Sequence, residues 1–208
     1  FFTKSGGFPK FKNRKSKQSF EIPKNLTVDF TKSEVKLPKF TEPIRTVFHR
    51  QFEGEIRTCH IKRSNAGNYY VTILVEDGKE LPLKPEIRKT TSIGIDVGIK
   101  TFAVTSEGVE IANPRHFVTC QRRLAMVQCS FSRKIKLKKK GDPLSKNAEK
   151  QKVKLQLLHE HVANQRKDFL HKVTTRLIRE NQTICIEDLN VKGMMKNRKL
   201  SKHIKDAG

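Results

Sequence analysis

Hydrophobic and polar positions alternate through the first part of the chain, in short runs that Pro, Gly and polar turns interrupt. The clearest pattern covers 54–76, where "GEIRTCHIKR", the turn "SNAGN" and "YYVTILVE" predict a β-hairpin. "IPKNLTVDF" and "SEVKLPKF" are shorter strand candidates. These runs predict a small β-barrel or a sandwich over 1–90, in which the two prolines of 81–89 favour a linker.

The pattern changes in the second part of the chain, 91–208. Three strand-like runs, "SIGIDVG", "IKTFAVTS" and "GVEIANP", are separated by tight turns. From about His116 the apolar spacing becomes helical and predicts a helical pair at about 116–180, with one helix to 138, a break at Asp142-Pro143, and a second helix from about 144. The second helix carries one apolar stripe, made of Leu155, Leu158, Val162, Phe169, Val173 and Leu177. "TICIEDLN" follows and predicts a buried strand.

Two acids, Asp96 and Glu187, lie in or directly after apolar strands, where a lone buried charge would be costly. The order of the elements matches an RNase H-like sheet, in which the first and fourth strands are parallel neighbours joined by a helical crossover. The two carboxylates would then converge at one sheet edge and bind Mg²⁺, with Gly94 and Gly98 leaving room for a phosphate. Two such ions about 4 Å apart would support phosphodiester cleavage.

Simpler interpretations of these acids stay open. Asp96 could be a turn residue whose carboxylate accepts hydrogen bonds from backbone N–H groups. Glu187 and Asp188 could cap a helix or a turn that follows the strand. Only the combination of both acids with this topology favours a metal site.

Charge extends the picture, because 44 Lys and Arg against 21 Asp and Glu give a formal net charge of +23. Such an excess predicts a polyanionic partner, with nucleic acid first; the alternative is a basic soluble protein or a protein that binds a membrane surface. The sequence contains no apolar run of the roughly 20 residues that a membrane span requires. The four cysteines form no CxxC pair, so we expect no zinc site and no disulfide framework, and a reducing cytoplasm fits best.

The cations concentrate in two places. Residues 1–20 contain six Lys or Arg, no acid and several Phe, which is typical of a backbone-tracking arm or of a disordered tail. Residues 132–140 contain another six cations, and this run is either a solvated face or a stripe that contacts a duplex backbone. The candidate nucleic-acid-binding residues are Lys10, Lys12, Arg14, Lys15, Arg122, Arg123, Arg133, Lys134, Lys136, Lys138, Lys139 and Lys140.

Three segments, "GIDVGIKTFAVTSEG", "RKDFLHKVTTRLIREN" and "ICIEDLNVKGMMKNRKLSKHIKDAG", resemble the TnpB (OrfB) family of transposon-encoded proteins, relatives of type V CRISPR nucleases. The segments "GGFPKFKNRKSKQSF" and "FEGEIRTCHIKRSNAGNYYVTILVE" are also similar to that family. The resemblance implies an α+β protein: a wedge-like β-barrel at 1–90, then a RuvC-like mixed sheet at 91–208 with a long basic helical insertion. It also implies a Mg²⁺-dependent DNA endonuclease directed by a guide RNA, with Asp96 and Glu187 as catalytic acids and metal ligands.

The resemblance also implies parts that this sequence lacks: an N-terminal helical region, a Cys₄ zinc ribbon and a third acidic motif. We therefore expect an incomplete RuvC-like domain, weak Mg²⁺ binding and little or no cleavage, with guide RNA and target DNA still bound. The alternative is a non-catalytic derivative that binds RNA or DNA in a regulatory role. A third interpretation, a basic RNA-binding protein such as a ribosome-associated one, explains the charge but not the paired acids.

Overall fold

The computed structural model describes residues 18–80, 87–136, 139 and 141–207. The chain divides into two compact units, Phe1–Pro82 and Leu83–Gly208. The predicted N-terminal arm up to residue 17 and the linker positions 81–86 therefore lie outside the described residues.

Two three-stranded antiparallel sheets make up the described part of the first unit. The strands are β1 (Ser19–Ile22), β2 (Thr27–Asp29), β3 (Glu34–Lys36), β4 (Ile44–Arg45), β5 (Glu55–Arg63) and β6 (Tyr69–Glu76). One sheet has the order β1-β5-β6 and the other β2-β3-β4. The predicted hairpin is confirmed, because β5 pairs with β6 in antiparallel register from Glu55↔Glu76 to Arg63↔Tyr69.

Both sheets contribute to one apolar core, in which Cys59 of β5 and Val35 of β3 are buried beside Leu26 and Leu37. A closed barrel is not present among the described residues, so that part of the prediction is wrong. Strands β2, β3 and β4 are only two or three residues long, which is too short to continue a hydrogen-bonded ladder from one sheet into the other. Packing of two sheets over a shared core corresponds to the sandwich alternative.

The second unit contains a four-stranded mixed sheet with the order β10-β7-β8-β9. Its strands are β7 (Ser92–Val97), β8 (Thr101–Thr105), β9 (Glu110–Ala112) and β10 (Thr183–Ile186), and a short 3₁₀ turn, Lys89–Thr91, precedes β7. The strands β7, β8 and β9 form an antiparallel meander, whereas β10 pairs with β7 in parallel. The predicted parallel pairing of the Asp96 strand with the strand before Glu187 is therefore confirmed.

Two long helices connect β9 to β10, and two short ones follow. They are α1 (His116–Ile135), α2 (Lys146–Glu180), α3 (Val191–Met194) and α4 (Ser201–Ala207). The Ser145 hydroxyl caps α2 by accepting a hydrogen bond from the Ala148 N–H at 3.2 Å. Both long helices are slightly shorter than predicted at the Lys-rich connection.

The predicted apolar stripe of α2 serves two cores. Leu158 and Val162 pack with Leu124 of α1, and farther along α2 Val173 and Leu177 pack on the sheet with the β7 isoleucines. Within the described residues no helix is long and apolar enough to cross a bilayer. The predicted mixed α+β class is confirmed.

Candidate metal and nucleic-acid site

The register between β10 and β7 brings the two predicted acids side by side. Ile186 pairs with Ile95, and the next residue on each chain segment is Glu187 or Asp96. Neighbouring strands are about 4.8 Å apart, so the backbones that carry the two carboxylates are close enough for both side chains to reach one ion. The acids are some 90 positions apart in sequence, and the helical crossover between β9 and β10 brings their strands together.

Both carboxylates are exposed, so the expectation that these charges are buried is wrong. Alternation along β7 points Ile93 and Ile95 into the core beneath α2, and Asp96 therefore points to the opposite face. Within the described parts of the chain, neither the Asp96 nor the Glu187 carboxylate makes a hydrogen bond or an ion pair. Their oxygens are thus available to a cation without breaking any described contact.

The simpler interpretations of the acids do not match these contacts. Asp96 accepts no backbone hydrogen bond among the described residues, as a turn-capping carboxylate would. The cap that follows β10 is Asn190, whose Oδ1 accepts a hydrogen bond from the Gly193 N–H at 2.9 Å. Glu187 and Asp188 are both exposed and do not take that role.

The turn after Asp96 is held by contacts that the sequence did not reveal. The Asn113 side chain donates to the Ile99 carbonyl at 2.8 Å and accepts from the Arg115 N–H at 3.0 Å, joining the β7–β8 turn to the start of α1. A Cβ at Gly98 would lie 2.8 Å from the Thr101 carbonyl oxygen. The tight turn itself therefore accounts for Gly98, without the space for a phosphate that the sequence suggested.

Further acids lie near the pair but do not complete a third ligand. Glu110 pairs with Val104, which in turn pairs with Asp96, so Glu110 lies two strands away on the same face. Two strand spacings are about 10 Å, too far for one ion to join both carboxylates directly. In the described residues no group of three or more His, Cys, Asp or Glu side chains is arranged to hold a metal ion.

The predicted basic surface on α1 is exposed where it is described. Arg122 and Arg133 lie on the side of α1 that faces away from buried Leu124, eleven residues or about 16 Å apart along the helix. Arg123 and Lys134 flank them, and Lys136 and Lys139 continue the exposed cations beyond the helix. The other candidates, Lys10, Lys12, Arg14, Lys15, Lys138 and Lys140, lie outside the described residues.

One buried acid, Asp206, was missed by the sequence reasoning. Asp206 is only 4% exposed, and its carboxylate accepts hydrogen bonds from the Phe117 N–H at 2.7 Å and the Val118 N–H at 3.2 Å. Arg115 precedes α1 with a φ of 48° and supplies no side-chain cap. Asp206 of α4 therefore takes the capping role from a distant part of the chain, where a negative charge also complements the helix dipole.

Comparisons with known proteins cover both units of the chain. Residues 71–198 match the OrfB_IS605 family, described as probable transposase. A Streptomyces pristinaespiralis protein named "Putative RNA-guided DNA endonuclease" is 36% identical over 209 residues, covering 100% of this chain and 49% of the relative. The Escherichia coli K12 protein "Putative RNA-guided DNA endonuclease InsQ" is 34% identical over 197 residues, covering 95% of this chain and 46% of the relative.

The chain thus spans about half the length of these curated relatives. The family match covers most of the chain, from β6 through both long helices to the segment beyond α3. The resemblance noted in the sequence is confirmed: the chain belongs to the OrfB_IS605 transposase family.

Proposed function

We propose that the chain acts within an RNA-guided DNA endonuclease, in which Asp96 and Glu187 hold Mg²⁺ on an RNase H-like sheet. The observation that carries the proposal is the parallel register of β10 on β7, which sets both acids at one end of adjacent strands. The strand order β10-β7-β8-β9 with a helical crossover supports the RNase H-like assignment. The names of the two relatives support the reaction and the RNA and DNA partners.

The donor set fits the ion. Mg²⁺ is a hard cation that binds through one or two carboxylates and keeps several waters, and both carboxylates here are exposed and unpaired among the described residues. When bound between them, the ion would supply positive charge at a phosphate and lower the pKa of a bound water. The residues themselves position that charge, since β7 and β10 are anchored by buried Ile93, Ile95 and Leu177. Two carboxylates alone predict weak binding.

A metal titration tests the site directly. The probe is Mn²⁺ in place of Mg²⁺, because the electron-spin-resonance signal of unbound Mn²⁺ measures how much of the ion remains free. We expect Asp96→Asn and Glu187→Gln each to weaken Mn²⁺ binding at least about tenfold, because removing one of two charged ligands leaves a single carboxylate. Glu110→Gln removes the same charge two strands away and serves as the matched control. Equal weakening by all three variants would reduce the site to general electrostatic attraction and refute it.

A cleavage assay then tests the reaction. The chain is incubated with guide RNA, target DNA and Mg²⁺. Two control reactions use Asp96→Asn under the same conditions and the native chain with EDTA in place of Mg²⁺. Cleavage that requires both Asp96 and the metal supports the endonuclease. We expect cleavage by this chain alone to be weak or absent, because the described residues supply two ligands to the ion.

The second candidate function is binding without cleavage, in a regulatory or derived role. It is favoured by the exposed cations of α1, which contact a phosphate backbone without needing an ion. Two results would support it. The native chain and Asp96→Asn would bind RNA or DNA with equal affinity in the absence of metal, and the Mn²⁺ titration would show no site. A carboxylate-dependent Mn²⁺ site would contradict it, since a pure binding surface has no use for the acid pair.

A further inference from the structure

A cationic cavity of about 330 Å³ lies in the second unit, close in sequence to the acid pair. It is lined by the β7–β8 turn, by the segment before α1 and by the region of α4: Ile99, Lys100, Asn113, Arg115, Leu200, His203 and Asp206. At roughly 30 Å³ for each water, this volume holds about ten waters, which is enough for a phosphate group and several waters.

The polar lining favours an anion. Lys100 and Arg115 are exposed, and neither side chain has a hydrogen bond or ion pair within the described residues. His203 adds a donor from α4, and the amide of Asn113 fixes the positions of Ile99 and Arg115. The three basic side chains come from three separate segments, so the fold gathers them; they are not a run of like charges along one surface helix.

Asp206 is the only acid in this lining, and it does not cancel the cations. Both of its oxygens accept hydrogen bonds from the first turn of α1, and the residue is almost fully buried. Even with the charge of Asp206 counted in full, Lys100 and Arg115 give the lining a surplus of one positive charge. A cation would be repelled by this surplus, whereas a phosphate could accept hydrogen bonds from it.

The position of the cavity favours a nucleic-acid phosphate. Lys100 follows Asp96 by four residues, so their backbones are at most about 14 Å apart. A strand whose phosphate lay at the acid pair would therefore have other phosphates only a few nucleotides from the cavity. We propose that this cavity binds a backbone phosphate of the nucleic-acid strand that the Asp96–Glu187 pair acts on, an inference that rests on the proposed function.

The test compares Lys100→Gln/Arg115→Gln with Lys150→Gln/Lys154→Gln, a control that removes the same charge from exposed positions on α2. Binding of a fluorescent twelve-nucleotide oligo(dT) to the full chain is measured by anisotropy at several salt concentrations, in EDTA. We expect the cavity variant to lose about 0.7 from the slope of log affinity against log salt, as one lost phosphate contact predicts for a single strand. The affinity of the cavity variant for the oligonucleotide should fall about three- to tenfold, and the fold-loss of the control variant should be less than half of that.

An equal loss in both double variants would mean general attraction to a basic protein and would overturn the proposal. Because the assay contains no divalent ion, a failure of the metal site leaves this result intact, and a failure here leaves the Mn²⁺ titration intact. Unfolding midpoints of both variants are compared first. If Arg115→Gln prevents folding, Arg115→Gly is used instead, because glycine readily adopts the φ of 48° found at this position.

A separate arm distinguishes a free phosphate from a strand phosphate. Inorganic phosphate is titrated into the isotope-labelled chain, and the backbone amide signals of Lys100 and Arg115 are followed. We expect millimolar binding that the oligonucleotide displaces. The strand-phosphate proposal would be refuted by two results together. Phosphate binding would be saturable and require Lys100 and Arg115, while the salt dependence of oligonucleotide affinity would be unchanged in the cavity variant. The cavity would then be assigned to a free anion.

Discussion

Replacing Asp206 tests whether a contact across 88 or 89 positions of sequence holds the second unit together. Asp206→Ala removes the acceptor of the Phe117 and Val118 N–H groups, at 2.7 and 3.2 Å, and nothing in Arg115 replaces it. Loss of a cap costs about 0.5–2 kcal/mol, and loss of the charge at the helix N-terminus about 0.3–1 kcal/mol. We therefore expect a destabilisation of about 1–3 kcal/mol.

The assay is thermal and urea unfolding of the full chain, followed by the helical circular dichroism signal that α1 and α2 dominate. For a protein of this size, 1 kcal/mol shifts the midpoint by about 2–4 °C, so the expected shift is about 2–12 °C. The unfolding midpoint of Asp206→Asn should lie between those of the native chain and Asp206→Ala. The amide oxygen of asparagine accepts one hydrogen bond, but its NH₂ group faces the second N–H donor.

The matched control is Asp168→Ala, which removes an exposed acid that pairs with Lys172 at 2.6 Å on α2. An exposed helical pair contributes about 0.3–0.5 kcal/mol, so its midpoint should barely move. If Asp206→Ala lowers the midpoint no more than Asp168→Ala does, the capping argument is refuted. The sequence offered no signal for this contact, because capping patterns involve residues directly next to the helix and Asp206 is 88 or 89 positions away.

Three further predictions follow from burial and hydrogen bonding. Leu158→Ala should lower the free energy of unfolding by about 2–5 kcal/mol, whereas Leu157→Ala, at a 44% exposed neighbour, should cost less than about 1 kcal/mol, by urea denaturation. Burial raises the pKa of the Cys59 thiol, so at pH 8 iodoacetamide should modify exposed Cys129 first, by mass spectrometry; equal rates would contradict this. Hydrogen bonds from the Thr31 hydroxyl and from the backbone of the same turn lower the pKa of Asp29. Asp29→Asn should therefore be less stable than the native chain at pH 7, and the difference in free energy of unfolding should vanish as the pH falls below about 4 and through the lowered folded pKa. A difference that stays constant with pH would refute this.

Local periodicity predicted most of the elements correctly. The hairpin of β5 and β6 and the helical pair follow from alternation and from the spacing of apolar residues, which depend on neighbours a few positions away. The parallel pairing of β7 and β10 was also predictable, because a helical crossover between two strands leaves few alternatives. Local patterns therefore placed Asp96 in β7 and Glu187 directly after β10.

The misses have a common physical cause. The barrel expected in the first unit depends on whether distant edges meet, and alternation within a short strand carries no information about that. The burial expected for Asp96 came from its apolar neighbours in sequence, but alternate residues of a strand face opposite sides of a sheet. The same alternation that buries Ile95 exposes the carboxylate beside it.

Helix α2 connects the two features on which the proposed function depends. Its 35 residues extend about 52 Å, and its apolar stripe packs first on α1 and then on the sheet. The basic surface of α1 and the acid pair at the end of β7 are therefore fixed to one continuous helix, since Leu158 holds the first and Leu177 the second. The separation of these two features along the molecule therefore depends on the length of α2, while Asp96 lies on the face of the sheet away from that helix. Bulk positive charge could concentrate a nucleic-acid strand near the protein, whereas a fixed spacing between α1 and the acids would favour one position of that strand over others.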